Sequence, residues 1–525
     1  MTRQSFPAEA TAGNVARLYD ESAENRGDAL ALEMYGDEYS HAALRDRSAR
    51  IAGGLRDVGL RLDDRIAIFL HNRPEVVLVA LAAFRAGTPF VPMNPQFTPR
   101  EIAGQVGDSG AAAVVTEPSL LDRVADALEL VDGTPTIILV DEDRSDDLVD
   151  RRPDTVAFES LDGDPVLVER EDDDVAMQPY TSGTTGEPKG VLLTHRNVRA
   201  QSLIGFERTA LPPEEERFLS VLPLAHIAGF INRTWQPLVR GGTVFLRDPT
   251  EWDPVTTMET IEAERITKFG AVTAMYVDIV NHDRFGEYDL SSLREVMEGG
   301  DRMPTAVQKR FEEVAGVELF EAYGLTETGG GTHVGFGSTF GPRPGTIGQP
   351  LRATDCKIVD EVGREVAPGE TGELLVRGPH VTPGYHERPA ETAEAFTEDG
   401  YFRTGDVARR DADNYYEVVD RKSDVIVTAG YTVYPREVED VLHEHDAVVD
   451  AAVVGVPDER RTTTIEAYVV VEDDATVTEG ELKAYCLEHV APYKHPREIR
   501  FVERLPRTYN GKVRRVALRE GAVSD

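Results

Sequence analysis

Short apolar segments of strand length alternate with helix-like segments through the first half of this chain. Four of them predict buried strands: RIAIFL at 65–70, TPFVP at 88–92, AAAVV at 111–115 and TIILV at 136–140. Asn72 and Pro74 favour a helix start after the first strand, and Gly87 favours the end of that helix. Strand–helix–strand units of this length form a parallel sheet that helices cover on both faces. We therefore predict an α/β fold whose large N-terminal domain contains parallel or mixed sheets covered by helices.

A second pattern begins near residue 420 and predicts another domain, as a chain of 525 residues is too long for one ordinary core. Strand-like segments at 425–430, 451–456, 466–471 and 499–503 alternate with helix-like segments at 435–443 and 480–490. About 100 residues of this kind are the size of a small α+β domain. Residues 141–174, in contrast, are dense in Asp and Glu with little periodicity, and we predict a surface excursion there.

The charge balance excludes one class of partner. The chain has 94 acidic and 56 basic residues and a formal net charge of −38, so nucleic-acid phosphates would be repelled. It has eight lysines and 48 arginines. Such an acidic, lysine-poor composition resembles that of proteins from a salt-saturated cytoplasm, where cations screen the repulsion among the protein's own negative charges. We therefore predict a halophilic protein. Each of the few lysines is a strong candidate for a functional role.

No apolar segment predicts a membrane span or a signal peptide. The longest apolar stretches, such as 76–84, are shorter than the roughly 20 residues that a span needs, and the N-terminal segment lacks an apolar core of signal-peptide length. The two cysteines, Cys356 and Cys486, predict free thiols, and no cluster of Cys and His has the spacing of a zinc site. We expect a soluble, cytoplasmic protein.

The segment YTSGTTGEPKGV at 180–191 has the composition of a phosphate-binding loop. Its glycines and small hydroxyl residues let backbone amides approach phosphate oxygens closely, and a lysine at its end can lie against a terminal phosphate. The spacing from Gly183 to Lys189 does not fit the P-loop pattern of other nucleotide-binding proteins. A flexible turn between strands is the alternative interpretation. The residues that predict phosphate binding are Thr181, Ser182, Gly183, Thr184, Thr185, Gly186 and Lys189.

This segment resembles the signature loop of the adenylate-forming superfamily, which includes acyl-CoA synthetases, firefly luciferase and non-ribosomal peptide adenylation domains. Six further segments resemble motifs of this family, in the family's order: LPLAHIAGF at 222–230, EGGD at 298–301, AYGLTET at 322–328, YFRTGD at 401–406, DRKSD at 420–424 and PRTYNGKV at 506–513. The resemblance extends from about residue 15 to residue 515. On these motifs the chain is identified as a member of the family, in its acyl-CoA synthetase branch.

The resemblance implies an ATP site built from several of these segments. Gly299, Gly300 and Tyr323 would enclose the adenine, with the flat face of the aromatic ring against the base. Asp406 would accept hydrogen bonds from the ribose hydroxyls, and Arg421 would contact ribose and phosphate. The further residues that the motifs imply for nucleotide binding are Asp301, Glu321, Ala322 and Gly324.

The resemblance also implies catalytic roles. Thr326 would donate to the α-phosphate, while Glu327, with Thr181, would hold Mg²⁺, a hard cation that prefers oxygen ligands. Lys512 would be the lysine that bridges the acid's carboxylate and the α-phosphate. His226 would border the acid pocket, although a histidine satisfied in the core is the alternative interpretation. Residues that follow His226 and are candidates for lining the pocket are Ala228, Asn232 and Trp235.

In the family, two domains rotate about a hinge between the two steps of the reaction. The resemblance implies a large adenylation domain at 1–420, a hinge at 421–424 and a small mobile domain at 425–525. Ser423 stands where the family usually has Asp or Lys, and Val427 stands where a lysine is often found. Residues 457–464 lack a Gly-Glu pair that is common in CoA ligases. We therefore expect a different hinge and a different docking of CoA.

We predict an ATP-dependent acid–CoA ligase that forms an acyl-adenylate and then an acyl-CoA thioester, releasing pyrophosphate and AMP. The predicted acid is a medium- or long-chain fatty acid, and the alternative is an aromatic or short-chain acid. Three alternative functions remain open: a stand-alone adenylation enzyme that loads a carrier-protein thiol, a luciferase-like monooxygenase and a non-catalytic adenylate sensor. The expected partners are the carboxylic acid, ATP and coenzyme A, and a homodimer is possible.

Overall fold

The computed structural model describes residues 12–141, 155–181, 188–206, 211–300, 303–335, 341, 343–428, 431–445, 447–458, 462–471, 475–508 and 512–521. Its strands, in chain order, are β1 Leu30–Met34, β2 Asp37–Ser40, β3 Arg65–Phe69, β4 Phe90–Pro92, β5 Ala111–Thr116, β6 Thr136–Leu139, β7 Thr155–Ala157, β8 Val175–Met177, β9 Leu193–Thr194, β10 Arg217–Ser220, β11 Thr243–Leu246, β12 Lys268–Ala271, β13 Glu295–Gly299, β14 Leu319–Leu325, β15 Gly330–Val334, β16 Gln349–Pro350, β17 Asp355–Val359, β18 Thr371–Arg377, β19 Phe402–Arg410, β20 Tyr416–Arg421, β21 Ile426–Thr428, β22 Tyr431–Val433, β23 Val448–Asp458, β24 Thr462–Val471 and β25 Glu498–Phe501.

The α-helices are α1 Ala16–Arg26, α2 His41–Asp57, α3 Pro74–Ala86, α4 Pro99–Ser109, α5 Leu121–Leu128, α6 His195–Phe206, α7 Gln236–Arg240, α8 Pro254–Ala263, α9 Thr273–Asn281, α10 Thr305–Ala315, α11 Pro389–Ala395, α12 Pro435–His443, α13 Glu479–His489 and α14 Arg515–Arg519. Short 3₁₀ turns cover Phe158–Ser160, Pro213–Glu215, Pro249–Glu251, Phe285–Glu287 and Thr326–Thr328. Residues Ala228–Trp235 form a π-helix directly before α7.

The first sheet has seven strands in the order β7-β6-β5-β3-β4-β8-β9, and all but the last pair are parallel. It contains the four strands predicted from the first half of the sequence. The predicted surface excursion over 141–174 is wrong at β7, which pairs with β6 through Val156 and Ile138. A strand of three residues is too short to show a periodic pattern, so its acidic flanks dominated the prediction.

The second sheet has nine strands in the order β16-β15-β14-β13-β12-β10-β11-β1-β2, with a parallel centre and antiparallel pairs at both ends. Helix α3 has no exposed face, and one buried cluster joins it to strands of both sheets. This burial explains why its sequence is apolar on every side. The helix ends as predicted at Gly87, whose left-handed φ of 69° carries the chain into β4.

Antiparallel strands β17 to β20 form a third sheet that leads to residue 421. Beyond it, β21 pairs with β22, and β23, β24 and β25 form a sheet against which α12 and α13 pack around a separate core. The predicted large α/β domain and small α+β domain are thereby confirmed. Of the predicted strand at 425–430, the structure shows β21, and residues 429 and 430 lie outside the described part of the chain.

Two further expectations concern single features. Cys356 and Cys486 are both free thiols. Among the helices in the described ranges, none is both long enough and apolar enough to cross a bilayer.

Candidate active site

A cavity of about 740 Å³ opens where strands β12, β13 and β14 end, and a second of about 290 Å³ adjoins it. The two share Tyr323, Arg421 and Lys512 in their walls. Every residue that was predicted to bind the nucleotide or metal or to act in catalysis, and that the structure describes, lines one or both cavities: Thr181, Lys189, His226, Gly299, Gly300, Glu321, Ala322, Tyr323, Gly324, Thr326, Glu327, Asp406, Arg421 and Lys512. The predicted residues Ser182, Gly183, Thr184, Thr185, Gly186 and Asp301 lie outside the described part of the chain.

Tyr323 and Asp406 form the wall of the smaller cavity. The hydroxyl of Tyr323 donates to Asp406 Oδ2 at 2.5 Å, and Arg421 Nε lies 3.3 Å from Asp406 Oδ1. Burial raises the pKa of Tyr323 well above its usual value, so the tyrosine stays a neutral donor. An ionised carboxylate has about four acceptor sites, so Asp406 keeps capacity for two hydroxyl donors from a ligand.

The segment that resembles a phosphate-binding loop is closed at its base by two hydrogen bonds. Thr181 N donates to the carbonyl of Lys189 at 3.0 Å, and Lys189 N donates to Thr181 Oγ1 at 3.1 Å. A single β-bridge joins Tyr180 to Gly190 alongside them. This closure fixes Lys189 at the edge of the larger cavity.

Tyr385 connects two predicted site residues and was missed by the sequence analysis. Its hydroxyl donates to Glu327 Oε1 at 3.0 Å, and Lys189 Nζ lies 4.8 Å from the centre of its ring. An isolated β-bridge between Tyr385 and Val191 places the tyrosine beside Lys189, although the two bridged residues are almost 200 residues apart in the sequence. A lone tyrosine after a glycine carries no sequence signal for this role.

Lys512 comes to the cavity from the small domain, next to a bridge between two described segments. An isolated bridge joins Arg507 to Val513, and Thr508 and Lys512 exchange hydrogen bonds of 2.7 and 3.2 Å. Lys512 is close enough to His226 for its charge to act on that imidazole. Burial, with this positive charge as a smaller cause, lowers the pKa of His226 to about 4. His226 is therefore neutral at pH 7 and can border an acid without neutralising it.

The AMP-binding enzyme family matches residues 19–386, and the AMP-binding enzyme C-terminal domain matches residues 437–512. The chain belongs to the AMP-binding enzyme family. This confirms the predicted adenylate-forming superfamily and its acyl-CoA synthetase branch.

Relatives of this AMP-binding enzyme include proteins named for different acids. The chain is 32% identical to a long-chain-fatty-acid–CoA ligase of Bacillus subtilis, over 96% of this chain and 93% of that protein. It is 36% identical to a feruloyl-CoA synthase of an Amycolatopsis species, over 92% and 94%. The crystal structure of ATP-bound MatB from Rhodopseudomonas palustris superposes with a TM-score of 0.86 at 27% identity, covering 96% of this chain and 98% of MatB.

In this AMP-binding enzyme, the π-helix that follows His226 determines which of the next side chains face the cavity. Residues five apart would point about 140° away from each other in an α-helix, but a π-turn brings them onto one face. Ala228, Asn232 and Arg233 accordingly line the larger cavity. The prediction for Trp235 is wrong: it is 1% exposed in the core, where its indole donates to Ser202 Oγ at 2.8 Å.

The inner end of the larger cavity is charged, which the sequence analysis did not predict. Lys268 Nζ lies 3.1 Å from Glu216 and 2.9 Å from Glu295, and Arg240 Nε lies 2.6 Å from the other oxygen of Glu216. We call these four residues the inner charged network. Lys268 is an isolated lysine in a buried strand, and the scarcity of lysine was the signal that could have indicated it. Four of the eight lysines line this cavity: Lys189, Lys268, Lys422 and Lys512.

Proposed function

We propose that the chain is an ATP-dependent acid–CoA ligase that forms an acyl-adenylate and transfers the acyl group to the thiol of coenzyme A. The observation that carries the proposal is the convergence of Lys189, Tyr323, Glu327 and Lys512 on one cavity, from three segments that are remote in sequence. Family membership and the ATP-bound state of a similar structure support ATP as a substrate.

In the first step, the acid's carboxylate attacks the α-phosphorus of ATP, and both reactants are anionic. Catalysis of such a reaction depends on positioning and on positive charge more than on proton transfer. Lys512 would lie between the carboxylate and the α-phosphate, where charge concentrates, and Lys189 would neutralise the departing pyrophosphate. Tyr323 and Asp406 would hold the adenosine, so that the α-phosphate lies beside Lys512.

The donor set fits a hard divalent cation such as Mg²⁺. The carboxylate of Glu327 and the hydroxyls of Thr181 and Thr326 are oxygen donors that line the same cavity. Tyr385 donates to one oxygen of Glu327, which orients the carboxylate in the way that outer partners orient metal ligands. Glu327 and Thr181 would hold the ion, which supplies positive charge to the phosphates when it is bound.

The second step requires the small domain to rotate about the proposed hinge at 421–424. The hinge is a tight turn, because Asp424 N and Val425 N both donate to the carbonyl of Arg421, at 2.9 and 3.1 Å. Ser423 lies exposed in the middle of this turn and also in the walls of both cavities. Rotation there would withdraw Lys512 from the cavity and open a path for the pantetheine arm of coenzyme A.

Ser423→Pro is expected to slow thioester formation at least about tenfold while leaving adenylation measurable, because proline restricts φ in the segment that must rotate. The two half-reactions are measured separately, as pyrophosphate release without CoA and as thioester formation from preformed acyl-adenylate. Ser423→Ala is the matched control, since it keeps the backbone free. Equal losses in both half-reactions would show that 423 is not in the hinge.

The cavity favours the aromatic or short-chain acid over the medium- or long-chain fatty acid. A long alkyl chain requires an apolar tunnel, and apolar groups gain little beside buried charges. Here the inner end is formed by Glu216, Arg240, Lys268 and Glu295, which block an apolar extension beyond Phe218 and Met297. We therefore propose an acid whose acyl group ends before the inner charged network.

The function is tested by pyrophosphate release with ATP, Mg²⁺ and a panel of fatty, aromatic and short-chain acids, with and without CoA. The expected result is release that depends on one acid class and turns over rapidly only with CoA. Pyrophosphate release that CoA does not stimulate would support the adenylation step but would indicate that the acyl acceptor is another thiol, such as that of a carrier protein. No release with any acid would contradict the proposal.

We also propose that the enzyme is adapted to high salt, on the basis of its net charge of −38. Raising KCl from 0.1 to 1 M shortens the Debye length from about 10 Å to about 3 Å and so screens the repulsion among surface carboxylates. The melting temperature is expected to rise by at least about 5 °C over this range, as calorimetry would measure. Sucrose is the uncharged control, and an equal rise in sucrose, or none in KCl, would contradict the proposal.

A further inference from the structure

Arg233 is a buried cation in the wall of the larger cavity. The residue is 6% exposed, and its Nε is buried without an acceptor. Within the described ranges, no hydrogen bond or ion pair joins its guanidinium to the protein. Buried arginines are almost always paired, because a buried charge without a partner is costly. An unpaired guanidinium that faces a substrate cavity therefore indicates that the partner comes from the substrate.

The position of this guanidinium is fixed by packing. It lies 5.8 Å from the ring centre of Phe218 on β10. It also rests on Gly270 of β12, where an added Cβ would be only 2.3 Å from Nε. The absence of a side chain at 270 leaves the room in which the guanidinium lies. Gly270 lies two residues before Val272, which lines the cavity, a spacing of about 7 Å along the strand direction.

Arg233 has no hydrogen-bond or ion-pair partner among the described residues around it. In the inner charged network, the two carboxylates and the two cations neutralise each other. Glu298 and Tyr276 are the acidic groups whose fields act on Arg233, and neither forms an ion pair or hydrogen bond with it within the described residues. Burial lowers the pKa of Arg233, but a guanidinium remains protonated in proteins. The donors of this guanidinium therefore remain available to a ligand in the cavity.

We propose that Arg233 binds an oxygen acceptor at the far end of the acyl group, so that the enzyme activates carboxylic acids with a second oxygen-bearing group. The inference rests on the proposed function, because that function assigns the other end of the acid, the carboxylate that reacts with ATP. A guanidinium presents a planar fork of donors that suits a second carboxylate, and it also donates to a phenolic hydroxyl oxygen. These two sources share one chemistry, and the experiment distinguishes them. An unsubstituted alkyl or phenyl end would leave the buried cation unpaired.

The test compares acids of equal length that differ only in the far oxygen: suberate with octanoate, and 4-hydroxycinnamate with cinnamate. Binding to the AMP-saturated enzyme is measured by calorimetry, and kcat/KM by pyrophosphate release. The wild type is expected to prefer at least one oxygen-bearing acid over its partner by about 100-fold or more. A preference in the first pair identifies a carboxylate, and one in the second pair a hydroxyl.

Arg233→Met is expected to reduce that preference to near unity, and Gly270→Ala to reduce it by displacing the guanidinium without removing it. Arg233→Lys should retain part of a preference for a carboxylate. The matched control is Arg217→Met, since Arg217 lies on β10 next to Phe218 but does not line the cavity.

Equal use of both members of each pair by the wild type, or an unchanged preference in Arg233→Met, would overturn the inference. Because acid binding is measured without turnover, failure of the CoA step alone would contradict the proposed function and leave this inference standing.

Discussion

Replacing Lys512 by alanine is expected to slow acyl-adenylate formation by about 10²–10³-fold, the loss that follows removal of one preorganised electrostatic donor. The side chain lines both cavities, and its charge acts on His226 at the acid side. No other described lysine is shared by the two cavities, so none can substitute for it. The rate is measured as pyrophosphate release in the presence of a productive acid.

Two controls separate this role from a structural one. Thioester formation from supplied acyl-adenylate should be nearly unchanged in Lys512→Ala, because the lysine is withdrawn in that step. Lys494→Ala, which removes an ion pair with Glu437 elsewhere in the small domain, should leave both rates unchanged. Adenylation at the wild-type rate in Lys512→Ala, or equal losses in both steps, would contradict the assignment.

Lys268→Met is expected to lower the free energy of unfolding by about 3–5 kcal/mol, because it removes the cation that contacts both buried carboxylates and leaves Glu216 with Arg240 alone. Glu216 is 2% exposed and Glu295 is 5% exposed, so water replaces the lost partner poorly. The change is measured by urea denaturation at a fixed KCl concentration, with the melting temperature as a second readout. Acid binding should weaken as well, since this network forms the inner wall of the cavity.

Lys483→Met is the matched control for stability. Lys483 pairs with Glu479 across one turn of α13 at the surface, an arrangement that contributes only about 0.3–0.5 kcal/mol. Adding Glu295→Gln to Lys268→Met should recover part of the loss, because the carboxylate that loses its contact with Lys268 is replaced by a neutral amide. The role of the network would be refuted if Lys268→Met were no more destabilising than Lys483→Met.

Much of the fold could be predicted because its signals are local. Helix α3 has a proline at its start, a glycine at its end and an apolar sequence between them, so its burial between sheets follows from the pattern. The nucleotide end of the site was predictable for a similar reason, since each motif is a short contiguous segment. These predictions did not depend on how the segments meet in space.

The rest of the site depends on contacts between remote segments or on unusual backbone. Glu216, Lys268 and Glu295 come together because β10, β12 and β13 are neighbours, an arrangement that no single segment encodes. The positions of Arg233 and Trp235 follow from the π-helix. Trp235 was expected in the cavity only because it follows His226 in the sequence, whereas the wider turns place Arg233 there.

The distribution of lysine has a practical consequence for handling the protein. Half of the primary amines carried by side chains lie in the active-site cavity, and three of them, Lys189, Lys422 and Lys512, are not buried, so amine-reactive dyes, cross-linkers and immobilisation supports can attach at the catalytic centre. Lys309 on α10 is an exposed alternative, but it is one amine among very few. Attachment through the abundant carboxylates avoids this problem, and protection of the amines by bound ATP would in turn report occupancy of the site.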